Sequence, residues 1–401
     1  MPCVKPRKGA QAEACATGCR SAGKEVGLRG GGGVAYTGVP MKILHVDTRP
    51  DWRGGQLRIL LTLRGLRARG HDAQLMARCD SPLARRATEE GFSVHLFSPR
   101  FVRLQAALCL RELLDQQMFD ILHAHDPHGL TAAWLMRAHR RAALVVARRV
   151  AYPLSRGSPG LARYRAARRI IAVSRFVEAS VIASGIAAER VAVVHDGVEI
   201  GAATTAEERR IARARWNVSG DILLLGCVGY LPAEKGQEAL VRAMRAICEK
   251  FPKCRLILAG DGPCRAKLQA LAHELEMGNA VKFAGFVDDI ESVYRALDVF
   301  VFPSVAEPLG SSLLAAMAHG LPVIAIASGG VPEIVENGRN GILVEAPEAE
   351  KLADSIRRVL GDSALATRMG KAARETAAES FSAGLLVENT VREYQNVLCA
   401  N

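Results

Sequence analysis

The residues that could do chemistry fall at the ends of apolar runs. In EPLGSSLLAAMAHGLPVIA a single carboxylate, Glu307, precedes a stretch with no other acid. The pattern predicts a buried helix from about Ser311 to Ala318, stopped by His319-Gly320, and then a short strand beginning near Pro322. Gly310, Ser311 and Ser312 make the first turn of that helix, where unpaired N–H groups and the helix dipole favour an anion. Glu307 has two roles open to it, a cap on that turn or a contact to something bound there. In GYLPAEKG, Lys235 sits on a glycine-bounded loop suited to a phosphate, although a loop lysine also reads as simply solvated.

Other candidates are weaker when taken singly. Gly54-Gly55 in WRGGQ fall at a strand-to-helix turn, where the missing side chains let a ligand or an opposing domain approach the backbone. Gly329-Gly330 in SGGVPE precede a further turn ending in Glu333. HAHD places His123 and His125 on one face of a strand end, since strand side chains alternate. Two imidazoles so placed can begin a metal site, but no second motif completes it, and no metal is expected. A hydrogen-bonding role suits His125 and a buried structural role suits His123. No G-x-x-x-x-G-K-[ST] or full dinucleotide fingerprint is present, which disfavours P-loop and NAD chemistry.

Strands alternating with helices must position these residues. From Met41 the runs MKILHVD, AQLMARC, SVHLF, DILHAHD, ALVVARR, RIIAVS and RVAVVHDGV form one series. LLLGCVGYL, RLILAGDG, AVKFAGFV, VFVFPS, PVIAIAS and GILV form a second, after a charged helical stretch, AEERRIARARWNV. Alternation of this kind predicts two parallel sheets covered by helices, with ligands bound beyond the carboxyl ends of the strands. The expected parts are residues 1–40 as a disordered extension or mis-assigned start, 41–203 and 204–380 as two halves, and 381–401 as a terminal helix. Met41 is expected to be the natural start.

Composition bounds the rest. The 401 residues carry a formal net charge of +12, and eleven arginines with no acid lie between Asp126 and Glu178. Such a stripe suits an anionic membrane surface or an anionic acceptor, and equally a solvated face. Nucleic acid is not expected, because no aromatic-interleaved binding motif accompanies the charge. No apolar run approaches the roughly 20 residues needed to span a bilayer. The ten cysteines contain no CxxC pair and read as reduced thiols in a cytoplasmic protein.

Gly-Gly, H-x-H, D-G-V, G-x-L-x-x-x-K-G, A-G-D-G-P, F-P-S, E-P-L-G and G-G-V-P-E occur in that order, and the ordered set resembles family 4 of the retaining glycosyltransferases. The resemblance implies the GT-B fold: two facing Rossmann-like domains, with a C-terminal helix crossing back to the first. It implies catalytic roles for Glu307, Lys235 and His125. Donor contacts follow at Gly54, Gly55, Tyr230, Gly310, Ser311, Gly329 and Gly330, with His125 and Glu307 on the transferred sugar and Lys235 on the diphosphate. The implied reaction moves a sugar, with retention and without a metal or other cofactor, from a nucleoside-diphosphate sugar to a glycan or lipid-linked glycan. Cell-envelope polysaccharide or lipopolysaccharide synthesis, at the inner face of the membrane, is the implied setting.

Two positions depart from the family pattern. Tyr230 stands where an arginine usually joins the phosphate loop, and Ala315 where the second acid of Glu-x7-Glu usually holds the ribose. Both departures leave open an alternative, a catalytically weakened relative acting as a membrane-associated binding or scaffold protein.

Overall fold

The computed structural model describes residues 39–154 and 159–399. The expectations for the first 40 residues therefore fall outside it, apart from positions 39 and 40. The chain from Met41 onward forms one compact unit.

Seven strands make the first sheet: β1 (Lys42–Asp47), β2 (Asp72–Arg78), β3 (Val94–Phe97), β4 (Ile121–Ala124), β5 (Ala143–Arg148), β6 (Arg169–Ala172) and β7 (Val191–Val193). Helices α1 (Gly54–Ala68), α2 (Pro82–Glu89), α3 (Val102–Gln116), α4 (Pro127–Leu135), α5 (Pro159–Arg165) and α6 (Arg175–Ala183) connect them. After α7 (Ala206–Arg215) the second sheet is built from β8 (Leu223–Val228), β9 (Cys254–Ala259), β10 (Val281–Gly285), β11 (Val299–Phe302), β12 (Val323–Ile326) and β13 (Ile342–Val344). Its helices are α8 (Gln237–Lys250), α9 (Arg265–Glu274), α10 (Ile290–Ala296), α11 (Ser311–Ala318), α12 (Ala349–Gly361), α13 (Ser363–Ser380) and α14 (Ala383–Cys399).

Both sheets are parallel throughout, in the orders β3-β2-β1-β4-β5-β6-β7 and β10-β9-β8-β11-β12-β13. The direction of winding therefore reverses between β1 and β4 in one sheet and between β8 and β11 in the other. At such a reversal the connecting helices leave on opposite faces, and a crevice opens at the carboxyl ends of the strands. His45, His123 and His125 lie at the first reversal; Tyr230, Lys235 and Glu307 lie just past the second.

Local chemistry fixes where the helices start. Asp126 caps α4 by accepting from the His128 and Gly129 N–H groups, and the same carboxylate accepts from Thr48 N and Oγ1 at 2.6 and 2.7 Å. One side chain thus ties the end of β1 to the start of α4. Ser81 and Ser174 cap α2 and α6, and Thr205 with Glu208 forms a capping box on α7.

Helix α14 lies against α1 and β5, so the chain end returns to the first sheet. Backbone bonds strap its start to Val198, which donates to the Phe381 carbonyl at 2.8 Å and accepts from Ala383 N at 2.9 Å. Gly65 on α1 makes the close approach possible, because a Cβ there would collide with the Val387 side chain. Arg169 pairs with Glu393, and Tyr394, fully buried, reaches His123.

The arginines between Asp126 and Glu178 do not form one solvated face. Arg148 is buried and donates to Tyr164 and the Tyr152 carbonyl, Arg163 donates to Thr131, and Arg141 pairs with Asp115. Arg156 lies outside the described residues.

Candidate functional site

A cavity of about 710 Å³ opens where the two reversals face each other. The first half contributes Asp51, Trp52, Arg53, Gly54, Leu57 and Arg86. The second half contributes, among others, Tyr230, Glu234, Lys235, Asp261, Phe286, Asp288, Ser304, Glu307, Ser311 and Ser312.

Glu307 does not cap α11; Gly310 occupies the cap position and no side chain bonds there. The Glu307 carboxylate, almost wholly buried, instead pairs with Lys235 and accepts from Ser304 Oγ at 3.1 Å. The cavity wall therefore carries an ion pair whose members lie 72 residues apart, beside the exposed first turn of α11. A buried pair of this kind gains little net stability, because desolvation offsets most of the attraction.

Gly329 and Gly330 serve the loop that carries Glu307. A Cβ at Gly329 would strike the Glu307 carbonyl and one at Gly330 the Pro308 carbonyl, while Gly330 N donates to the Glu307 carbonyl at 2.9 Å. Neither glycine lines the cavity, nor does Gly310, whose φ of +121° suits a residue without a side chain. Gly54 lines the cavity and meets Ser311 so closely that a Cβ would overlap its hydroxyl; Gly55 is covered by Arg149, whose Nη1 donates to the Gly55 carbonyl at 2.6 Å.

His125 is not brought to the cavity wall. It shares a 2.8 Å hydrogen bond with His45 of β1, and its ring lies 4.0 Å from that of His123, centroid to centroid. The spacing of HAHD could not supply this third imidazole; it arrives because β1 and β4 are neighbours with His45 opposite His123. The three rings offer ligand atoms within 4.8 Å of one another. Burial pushes the His45 imidazole down to about 3, with Arg149 adding to the effect, and holds His123 and His125 well below the ordinary range. Burial and the charge of Asp126 raise Asp47, beside this cluster, to about 7.

Arg53 and Arg86, absent from the sequence expectations, and Glu333, read there only as the end of a turn, complete the cleft. The Arg53 guanidinium stacks on Tyr230 at 4.4 Å and that of Arg86 on Trp52 at 4.3 Å. Glu333 reaches from the second half to accept from the Arg175 and Phe176 N–H groups of α6 at 2.9 and 3.0 Å and from His195 Nε2 at 2.9 Å. Ser174 adds a 2.6 Å bond to the Pro308 carbonyl. Ala315, on α11, is partly buried against the core and does not line the cavity.

Residues 52–201 match the family model for Glycosyltransferase Family 4, and residues 208–376 match that for Glycosyl transferases group 1. An uncharacterized glycosyltransferase of Methanocaldococcus jannaschii is 34% identical over 212 residues, covering 52% of this chain and 54% of that protein. The lipopolysaccharide core biosynthesis glycosyltransferase LpsE of Rhizobium meliloti is 34% identical over 172 residues, 43% of this chain and 49% of its own. The chain thus spans about half the length of the curated relatives it matches. Among solved structures, HepE of Anabaena in complex with UDP-glucose superposes with a TM-score of 0.77 over 89% of this chain and 100% of that one, at 24% identity. That likeness establishes the fold. With one family model on each half of a two-sheet GT-B architecture, the chain belongs to the group 1 glycosyltransferases of family 4.

Proposed function

We propose that the protein transfers a sugar from a nucleoside-diphosphate sugar to a glycan or lipid-linked glycan acceptor, with retention and without a metal. The observation that carries this reading is the Lys235–Glu307 pair in the cavity wall, next to the first turn of α11. A donor diphosphate laid on that turn draws Lys235 away from Glu307, and the freed carboxylate then accepts from hydroxyls of the sugar. As the glycosidic bond to the diphosphate breaks, negative charge grows on its oxygen, where Lys235 and the N–H groups of Ser311 and Ser312 stabilise it. The acceptor hydroxyl attacks the face the leaving group departs from and passes its proton to the departing phosphate oxygen.

The relatives support the substrate class. HepE is described with UDP-glucose, LpsE with lipopolysaccharide core synthesis, and a mycobacterial relative as a mannosyltransferase acting on a phosphatidylinositol monomannoside. A cell-envelope acceptor fits these and the basic chain. No described helix is long and apolar enough to cross a membrane.

Incubation with a panel of nucleotide sugars, following free nucleoside diphosphate, tests the reading. At least one donor is expected to be consumed, at a rate unchanged by chelator and giving a product whose anomeric configuration by proton NMR matches the donor's. Nucleotide binding without consumption of any donor would favour the binding or scaffold alternative.

A further inference from the structure

The cavity that is to hold a diphosphate carries more negative than positive charge. Asp51, Glu234, Asp261, Asp288 and Glu307 line it against three bases, Arg53, Arg86 and Lys235. Lys235 is already paired with Glu307, and Arg86 is stacked on Trp52 within the first half. Arg53 differs from both: it belongs to the first half, yet its guanidinium lies 4.4 Å from the ring of Tyr230, five positions before Lys235 in the second half.

Its placement on α1 is locally unfavourable. Arg53 is the N-cap of a 15-residue helix with no acid in its first turn, where the dipole repels a cation. Asp51 relieves this only in part, since it pairs with Arg53 at 2.5 Å and also with Arg49. An exposed cation held against a helix N-terminus suits an anionic ligand better than it suits stability. The first turns of α1 and α11 touch here, Gly54 against Ser311, and both line the cavity, so an anion in the cavity lies beside both.

We propose that Arg53 is a donor-diphosphate ligand supplied by the opposite half of the molecule, positioned by its stack on Tyr230, so that tight donor binding needs both halves. The inference rests on the transferase reading above and extends it to a residue that reading does not use.

Calorimetric titration of the full chain with inorganic pyrophosphate, and with UDP, GDP and ADP in parallel, tests it. Arg53→Ala is expected to weaken pyrophosphate binding about ten- to a hundredfold, the range for losing a charge-assisted hydrogen bond. Arg53→Ala/Tyr230→Arg, which returns a guanidinium to the same place from the second half, is expected to recover most of that loss. Unchanged pyrophosphate affinity in Arg53→Ala, or no recovery in the double variant, would overturn the inference and leave the transferase reading standing. Failure of all four probes to bind the unaltered protein would overturn both.

Discussion

At the residue scale, the account concentrates on Lys235 and Glu307. Glu307→Gln and Lys235→Ala are each expected to lower turnover about a hundredfold or more, the scale seen on deleting one donor to a developing negative charge. Melting midpoints close to that of the unaltered protein would show that the fold survives; near-normal turnover would remove these two from the reaction. The histidine cluster makes a different demand. Its imidazoles are held neutral in the folded state, while an unfolded histidine titrates near 6.5, so the unfolded chain binds more protons in acid. Their contribution to stability is present above about pH 6.5 and is lost as pH falls toward the folded value of about 3 for His45. Asp47, raised to about 7, acts in the opposite sense, its contribution being lost as pH rises through that value. With three groups against one, the melting temperature is expected to fall between pH 6.5 and pH 4.5; a rise over that interval would contradict the assignment. The sequence made Glu307 and Lys235 legible because each stands alone in a glycine-bounded or apolar setting. It hid their partnership, as it hid that of His45 with His125, because contacts 72 and 80 residues apart depend on which strands become neighbours.

At the scale of elements, periodicity was a reliable guide where runs were long and apolar. MKILHVD, ALVVARR and the stretch after Glu307 became β1, β5 and α11 much as their patterns predict. What such patterns lack is the reason for a particular glycine. Gly329 and Gly330, read as facing a ligand, support the Glu307 loop backbone, and nothing in SGGVPE distinguishes those two uses. Gly65 attracts no notice in LRGLRA, yet it sets the distance between α1 and α14. Gly65→Ala is expected to destabilise by about 1–3 kcal/mol through overpacking, read as a lower urea midpoint. Trimming the facing side chain with Val387→Ala should relieve part of that cost, and purely additive losses would mean that the two positions do not press on each other.

At the scale of the whole molecule, Glu333 makes three hydrogen bonds across the cleft. Its carboxylate caps α6 across the cleft and accepts from His195, so Glu333→Ala should loosen one half against the other without unfolding either. A larger radius of gyration by small-angle scattering, with an unchanged far-UV spectrum, is the expected result; identical scattering would mean that the other contacts suffice. The basic charge of the chain also reads differently once folded. Arg148 and Arg163 are spent on internal bonds, so the sequence count of arginines overstates what the surface offers a membrane. The most direct test of the central claim, that the cleft receives a nucleoside-diphosphate sugar, is a thermal-shift screen of UDP, GDP, ADP and their sugars against the unaltered protein and Lys235→Ala. Binding to the folded state stabilises it by about 2.7 kcal/mol at a hundredfold excess over Kd. At least one nucleotide is expected to raise the melting temperature of the unaltered protein clearly and that of Lys235→Ala much less, whereas a flat response to every nucleotide in both proteins would contradict the account.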